Sequence, residues 1–169
     1  MPIYIAFVRA VNVAGTTLPM AALLEMCRAA GFERARTCLA SGNALFSSRC
    51  SAPVVKARLS SQVFDFIGKS AAVQVRTSNE LAAVLTANPF PEVRPHRLLT
   101  FFLESPPPDD ALQSVRGQRH ERLALGRREI YVAYSDGIAA SKLIIPAARS
   151  ATARNMNTLA RLSALAAAL

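Results

Sequence analysis

The sequence has few of the residues on which metal and redox sites are built. It has no tryptophan, two histidines and three cysteines among 169 residues. Cys27, Cys38 and Cys50 form no CxxC pair, and none stands beside a histidine. A zinc site and a disulfide framework are therefore not expected. We predict reduced thiols, with no metal and no cofactor.

Long apolar runs are also missing. No stretch approaches the roughly 20 apolar residues that a membrane-spanning helix needs. The chain starts directly with a strand-like run, Ile3 to Val8, without the basic leader and small-residue cleavage site of a secretory signal. The hydrophobic fraction of 51% and the charged fraction of 18% are those of a folded globule. We expect a cytoplasmic protein without membrane association.

Acidic residues are scarce relative to basic ones, which gives a formal charge of +9. A positive surface attracts phosphates, nucleic acid or acidic proteins. However, arginine greatly outnumbers lysine and alanine is abundant, as in a proteome with strong base-composition bias. The most concentrated basic stretch comprises Arg116, Arg119, Arg122, Arg127 and Arg128. It could attract nucleic acid, or it could be the solvated surface of a hairpin whose arginines partly pair with its own carboxylates.

The first half of the chain shows the element order β-α-β-β-α-β. A strand that is apolar on both faces precedes a helix opened by Pro19, and a hairpin turns at Ser41-Gly42-Asn43. A second helix extends from Ser51 to Gly68 and carries an apolar stripe of Val55, Leu59, Val63 and Phe66. The last strand meets a capping-box pattern at 77–80, which opens a short helix. This order is the split βαβ of ferredoxin-like domains.

The second half repeats much of this order. We predict a strand over 98–103, a helix capped by Asp109 or Asp110, and a hairpin of residues 122–125 and 129–134. A short helix over 141–148 and a terminal helix from Asn155 follow. The predicted fold is α+β with two ferredoxin-like halves, 1–91 and 92–169, in one compact unit. Their sheets are mixed or antiparallel, with helices packed on them.

Five local patterns in order resemble a known family. They are 9–15 (RAVNVAG), 41–43 (SGN) with Phe46, 88–91 (NPFP), 136–137 (DG) with 141–143 (SKL), and 152–158 (TARNMNT). Together they are similar to the domain-of-unknown-function family 1697, an uncharacterised and mainly bacterial group. The resemblance spans nearly the whole chain and implies an α+β fold with ferredoxin-like halves. It implies no reaction.

The polar residues of these patterns fall at strand ends, turns and helix starts, where binding groups are usually presented. They are Arg9, Asn12, Ser41, Asn43, Ser141, Lys142, Arg154, Asn155 and Asn157. Arginine forks, a lysine and helix-start amides suit phosphate or carboxylate recognition. The set contains no histidine, no paired carboxylates and no nucleophile beside a base. It is therefore less suited to proton transfer than to anion binding. We predict that it lines a cleft between the halves.

Other interpretations of these residues stay open. Ser41-Gly42-Asn43 is also typical of a plain turn, and Asn155 is typical of a helix cap. Two further functions compete with a small anionic ligand: a nucleic-acid-binding accessory protein, and an interaction module using a sheet face or the Ala/Leu-rich terminal helix. The sequence does not decide whether the protein is an enzyme. It favours a monomer or a weak homodimer. His96 and His120 lie in charged connecting segments, and we predict that both are exposed to solvent.

Overall fold

The computed structural model describes residues 1–9 and 17–169. The chain divides into a first unit, Met1–Ala82 with Arg161–Leu169, and a second unit, Ala83–Ala160. Over these described residues the fold is α+β, with two four-stranded antiparallel sheets and four α-helices. The predicted fold class is therefore confirmed. The predicted boundary between residues 91 and 92 stays a prediction.

The first sheet has the strand order β2-β3-β1-β4. Its strands are β1 (Ile3–Val8), β2 (Glu33–Thr37), β3 (Asn43–Ser47) and β4 (Val73–Thr77). The helices of this part of the chain are α1 (Met20–Ala29), α2 (Ala52–Ile67) and α3 (Ser78–Thr86). Strand β1 lies between β3 and β4 and is buried from Tyr4 to Val8. Its apolar character on both faces is thus explained by a central position.

One face of the first sheet forms a core with α1 and α2. Side chains at alternating β1 positions contact the buried faces of both helices, with Tyr4, Ala6, Val8, Leu23, Cys27, Val55, Leu59 and Val63 in one cluster. The Tyr4 hydroxyl donates a 2.8 Å hydrogen bond to the Cys50 carbonyl. The predicted stripe of α2 is wrong at one position, because Phe66 is 52% exposed and Ile67 packs against the core instead.

Helix boundaries follow the expected local chemistry. The amide of Thr77 donates to the Glu80 carboxylate at 2.8 Å, and the Glu80 amide donates to the Thr77 hydroxyl at 3.1 Å. This reciprocal pair is a capping box that satisfies two amides at the start of α3. Gly68 ends α2 in the left-handed conformation, with φ of 78°. Both predictions are confirmed.

The second sheet repeats the arrangement of the first, with strand order β6-β7-β5-β8. Its strands are β5 (Leu98–Phe102), β6 (Arg122–Leu125), β7 (Glu129–Ala133) and β8 (Thr152–Asn155), and α4 (Met156–Ala167) follows. The predicted hairpin of β6 and β7 is confirmed. A core cluster on one face includes Ile130, Val132, Tyr134 and Ile145.

Two helices predicted in the second half are wrong. The first is only a 3₁₀ turn, Ala111–Ser114, and Asp110 makes no side-chain cap bond. A segment this short cannot repay the cost of nucleating an α-helix. The second is a 3₁₀ turn, Pro146–Ala148, because a proline inside a helix removes a backbone donor and restricts the preceding residue.

Strand β8 is not among the elements that the sequence predicts. The segment pairs antiparallel with β5 from Thr152 to Asn155. It is short and largely polar, so its sequence gives little hydrophobic alternation to detect. In the described part of the chain, no helix combines the length and the apolar character needed to cross a membrane.

Candidate functional site

Three segments of the first unit meet where β1 ends. The Val8 amide donates a 2.8 Å hydrogen bond to the Gly42 carbonyl, and the Arg9 amide donates one of the same length to the Ala72 carbonyl. Arg9 therefore lies between the β2–β3 turn and the connection that leads into β4. Its side chain is exposed. We call this end of the sheet, formed by Arg9, 41–43, 69–72 and the start of α1, the anion end.

The turn at the anion end is held by a buried amide. Asn43 is fully buried, and its side-chain amide donates to the Cys38 carbonyl at 2.9 Å and to the Ser41 hydroxyl oxygen at 2.8 Å. Gly42 has φ of 88°, a conformation that side chains disfavour. Asn43 thus fixes the position of Ser41, which is exposed to solvent. The predicted turn is confirmed.

The start of α1 lies at the same end. Strands β1 and β2 are both antiparallel to β3, so they are parallel to each other. Helix α1 finishes at Ala29, a few residues before β2 begins, so its first turn lies where β1 finishes. Pro19 at its N-cap makes no side-chain cap bond. The amides of the first turn give this end a partial positive charge.

Formal charges at the anion end are all positive. Arg9 and Lys69 both lie in it, and Lys69 is also exposed. Residues 9–20, 38–43 and 68–72 contain no aspartate or glutamate. Asn12, a predicted binding residue, lies outside the described residues. Two cations and a helix start together make a local potential that attracts anions.

Ser141 and Lys142 lie in the second unit, beside the start of β6. The Ser141 hydroxyl donates a 2.5 Å hydrogen bond to the Glu121 carboxylate, which lowers the pKa of Glu121. The Lys142 carbonyl stands against Gly117, where an added Cβ would come within 2.1 Å of the carbonyl oxygen. The Lys142 side chain is exposed.

Arg154 lies on β8, directly opposite Thr100 of β5. Its guanidinium donates a 2.8 Å bond to the Ala153 carbonyl, and burial lowers its pKa to about 10. The next residue, Asn155, accepts a 2.9 Å bond from the Thr158 amide and so caps α4. Asn157 is exposed in the first turn of that helix.

The predicted residues of the second unit fall into two groups. Ser141 and Lys142 stand beside β6, and Arg154 lies on β8, which is the opposite edge of the sheet. Three strand spacings separate the edges, about 14 Å. By contrast, Arg9, Ser41 and Asn43 of the first unit meet at one sheet end. A hollow shared by the whole set stays a prediction.

The two histidines and Cys27 are the described residues that bear most on proton transfer and nucleophilic chemistry. His120 and His96 are exposed as predicted, and a 2.5 Å hydrogen bond from the His120 ring to the Asp136 carboxylate raises the pKa of His120. Burial raises the pKa of the Cys27 thiol to about 12, so it is a poor nucleophile at neutral pH. Among residues 1–9 and 17–169, no group of three His, Cys, Asp or Glu side chains is placed to hold a metal ion.

Comparison with known proteins agrees with the resemblance drawn from the motifs. The family described as "Protein of unknown function (DUF1697)" matches residues 1–131. The chain belongs to this family. No curated protein matches the chain significantly. The DUF1697 match covers the whole anion end, whereas the patterns at 136–143 and 152–158 lie beyond it.

A solved structure shares the DUF1697 chain's fold. It is described as the structure of conserved bacterial protein SP0830 from Streptococcus pneumoniae, and the two chains are 22% identical. The alignment covers 98% of each chain with a TM-score of 0.76. The similarity confirms the α+β architecture over the full length.

Three residues near the predicted ones were not singled out from the sequence. Lys69 follows the glycine that ends α2, and only the topology brings it to Arg9's end of the sheet. Thr100 and Thr152 share a sheet face with Arg154, and their buried hydroxyls have no hydrogen-bond partner among the described residues. Thr100 carries a detectable signal, because it is the single polar residue in the run Leu98–Phe102.

Proposed function

We propose that this DUF1697 protein binds a small anion bearing a phosphate or a carboxylate, and that the anion end of the first unit is the site. One observation carries the proposal. Backbone hydrogen bonds of 2.8 Å join Val8 to Gly42 in the Ser41 turn and Arg9 to Ala72 in the connection that follows Lys69, at the sheet end where α1 starts. No carboxylate lies in these segments.

The chemistry of the end matches such a ligand. A guanidinium offers a planar fork of donors to two oxygens of a phosphate or carboxylate, and an ammonium adds a mobile positive charge. The first-turn amides of α1 favour an anion by about 0.3–1 kcal/mol. Asn43 acts as a positioning residue because its side-chain amide donates a hydrogen bond to the Ser41 hydroxyl oxygen.

Binding is the function that these groups support, and no reaction is assigned. The described part of the anion end contains cations and a hydroxyl, but neither a histidine nor a carboxylate to move a proton. The binding roles predicted for Ser141, Lys142, Arg154, Asn155 and Asn157 stay predictions. A cytoplasmic location and a monomeric or weakly dimeric state also stay predictions.

Isothermal titration calorimetry with inorganic phosphate, citrate and AMP tests the proposal. We expect saturable binding of at least one probe by the intact chain. Arg9→Ala should weaken it about tenfold, because about 1.4 kcal/mol of a charge-assisted hydrogen bond is lost. Lys69→Ala should weaken it less, because a mobile ammonium gives up more side-chain entropy on binding.

Arg49→Ala is the matched control. Arg49 is exposed and follows Ser48, whose amide bonds Pro2 at the opposite end of the same sheet. The control removes the same charge and should leave the affinity unchanged. Equal losses for Arg9→Ala and Arg49→Ala would show that only net charge attracts the probes. If folded Arg9→Ala protein bound every probe as tightly as the parent chain, the proposal would be wrong.

A further inference from the structure

A second basic surface, on the second unit, is independent of the proposed anion site. Three segments meet where β6 begins: 90–97, 116–122 and 134–144. Arg97 donates a 2.6 Å bond to the Ser135 carbonyl, and Ser135 in turn donates to the His120 carbonyl at 3.2 Å. Arg116 pairs with Ile144 through two backbone bonds. We call this surface the basic end.

The carboxylates of the basic end are already engaged by local donors. Glu92 accepts a 2.6 Å bond from Arg122, and Asp136 lies 2.5 Å from the His120 ring. Glu121 accepts bonds from the Ser141 hydroxyl and the Arg119 amide. These hydrogen bonds lower the pKa of Glu92 and of Glu121, so both stay ionised at neutral pH.

The basic side chains outnumber these carboxylates. Six arginine and lysine residues lie in the three segments with the three carboxylates. Four of them are exposed and make no ion pair with any described residue: Arg94, Arg116, Arg119 and Lys142. Their charges are therefore available to a partner outside the chain. Because the four side chains come from three separate segments, their charges are spread over a surface patch and are not concentrated at a single position.

The patch also presents a flat cationic group. The Arg122 guanidinium lies 4.8 Å from the centre of the Phe90 ring, and its Glu92 bond holds it there. Strand β6, which begins at Arg122, is an edge strand of the second sheet. A guanidinium plane held on an aromatic ring is a surface on which a nucleic-acid base stacks.

We infer that the basic end binds nucleic acid, and that it contacts the phosphodiester backbone of the nucleic acid. Several dispersed cations match a polymer of regularly spaced phosphates better than a single small anion. Arginine predominates, and its fork fits phosphate oxygens. The cations stand on connecting segments around an edge strand, whereas a membrane-surface site normally uses one amphipathic helix. Recognition by backbone contacts is independent of base sequence.

Fluorescence anisotropy with a labelled 20-nucleotide single strand and a 20-base-pair duplex tests this inference on the full chain. If the four cations each neutralise one phosphate, raising salt from 50 to 200 mM should weaken duplex binding about 150-fold. The weaker salt slope of a single strand predicts about a 50-fold loss. Binding that is absent at 50 mM salt, or unaffected by salt, would overturn the inference.

Charge-matched variants locate the contact. Arg116→Ala and Arg119→Ala should each weaken binding several-fold and reduce the salt slope by about one. Arg127→Ala removes the same charge from the far end of the β6–β7 hairpin and should preserve both. Arg127 is exposed and has no ion pair with a described residue. An equal loss in all three folded variants would overturn the assignment to the basic end.

Anionic lipid vesicles form the last arm, because Ile138 and Ile144 are exposed near the same cations. Vesicles of phosphatidylcholine with 30% phosphatidylserine should bind far more weakly than the duplex at equal salt. Vesicle binding with no binding of either oligonucleotide would overturn the inference in favour of a membrane surface. This test is separate from that of the anion end, since Arg9→Ala should leave oligonucleotide binding intact.

Discussion

Two buried threonine hydroxyls, those of Thr100 and Thr152, affect the stability of the second sheet. Thr100 is fully buried and Thr152 is 1% exposed, and neither hydroxyl has a hydrogen-bond partner in the part of the chain that the structure describes. They share one sheet face with Arg154, whose pKa is lowered by burial. A buried hydroxyl that lost its bonds to water without gaining a partner costs about 1–3 kcal/mol. These positions are thus suboptimal for stability.

We expect Thr100→Val and Thr152→Val each to stabilise the protein by about 1 kcal/mol. Valine has the same branched shape, and it removes only the unpartnered hydroxyl. Thermal unfolding should show a rise of about 2–4 °C in each variant.

The control is Thr86→Val, an exposed change at the end of α3 that should leave the melting temperature nearly unchanged. A lower melting temperature for Thr100→Val or Thr152→Val would show that the hydroxyl makes a stabilising bond in solution.

Strands and helices with strong local patterns were predictable as elements. The central position of β1, the capping box at Thr77 and the β6–β7 hairpin all follow from residue type and spacing. The 3₁₀ turn Pro146–Ala148 could have been predicted, because Pro146 signals a break inside a helix. Strand β8 could not, because its pairing with β5, far along the chain, decides it. Long-range pairing leaves no local hydrophobic period in a four-residue strand.

The loop that carries Gly117 depends on a close backbone approach to Lys142. Gly117 has φ of 70°, and an added Cβ would lie 2.1 Å from the Lys142 carbonyl oxygen. Gly117→Ala combines backbone strain with a clash that the backbone must move to relieve. We expect a loss of about 2–4 kcal/mol in the free energy of unfolding, measured by urea denaturation.

Gly137→Ala is the matched control, because Gly137 has φ of 88° with nothing within 4 Å of an added Cβ. It should cost only about 1 kcal/mol of left-handed strain. If the two variants lost the same stability, the contact between the 116–118 and 141–144 segments would not be as close as described.

For the whole molecule, sequence motifs located the family and the turn at Ser41–Asn43, but not the grouping of the cations. Arg9 and Lys69 are 60 positions apart in the sequence, and they share a sheet end because β4 starts where β1 finishes. Similarly, Arg94 and Arg119 join one surface through contacts such as that between Glu92 and Arg122. Charge composition indicated affinity for anions, and the topology groups exposed cations on two surfaces.

The most direct test of the anion end is an amide NMR titration of the ¹⁵N-labelled intact chain with inorganic phosphate. We predict that the largest, saturating shifts fall on the amides of residues 41–43, 69–72 and 20–22. In the Arg9→Ala protein these shifts should require about tenfold more phosphate. Saturating shifts confined to other residues, or none at concentrations where the protein stays folded, would contradict the proposed site.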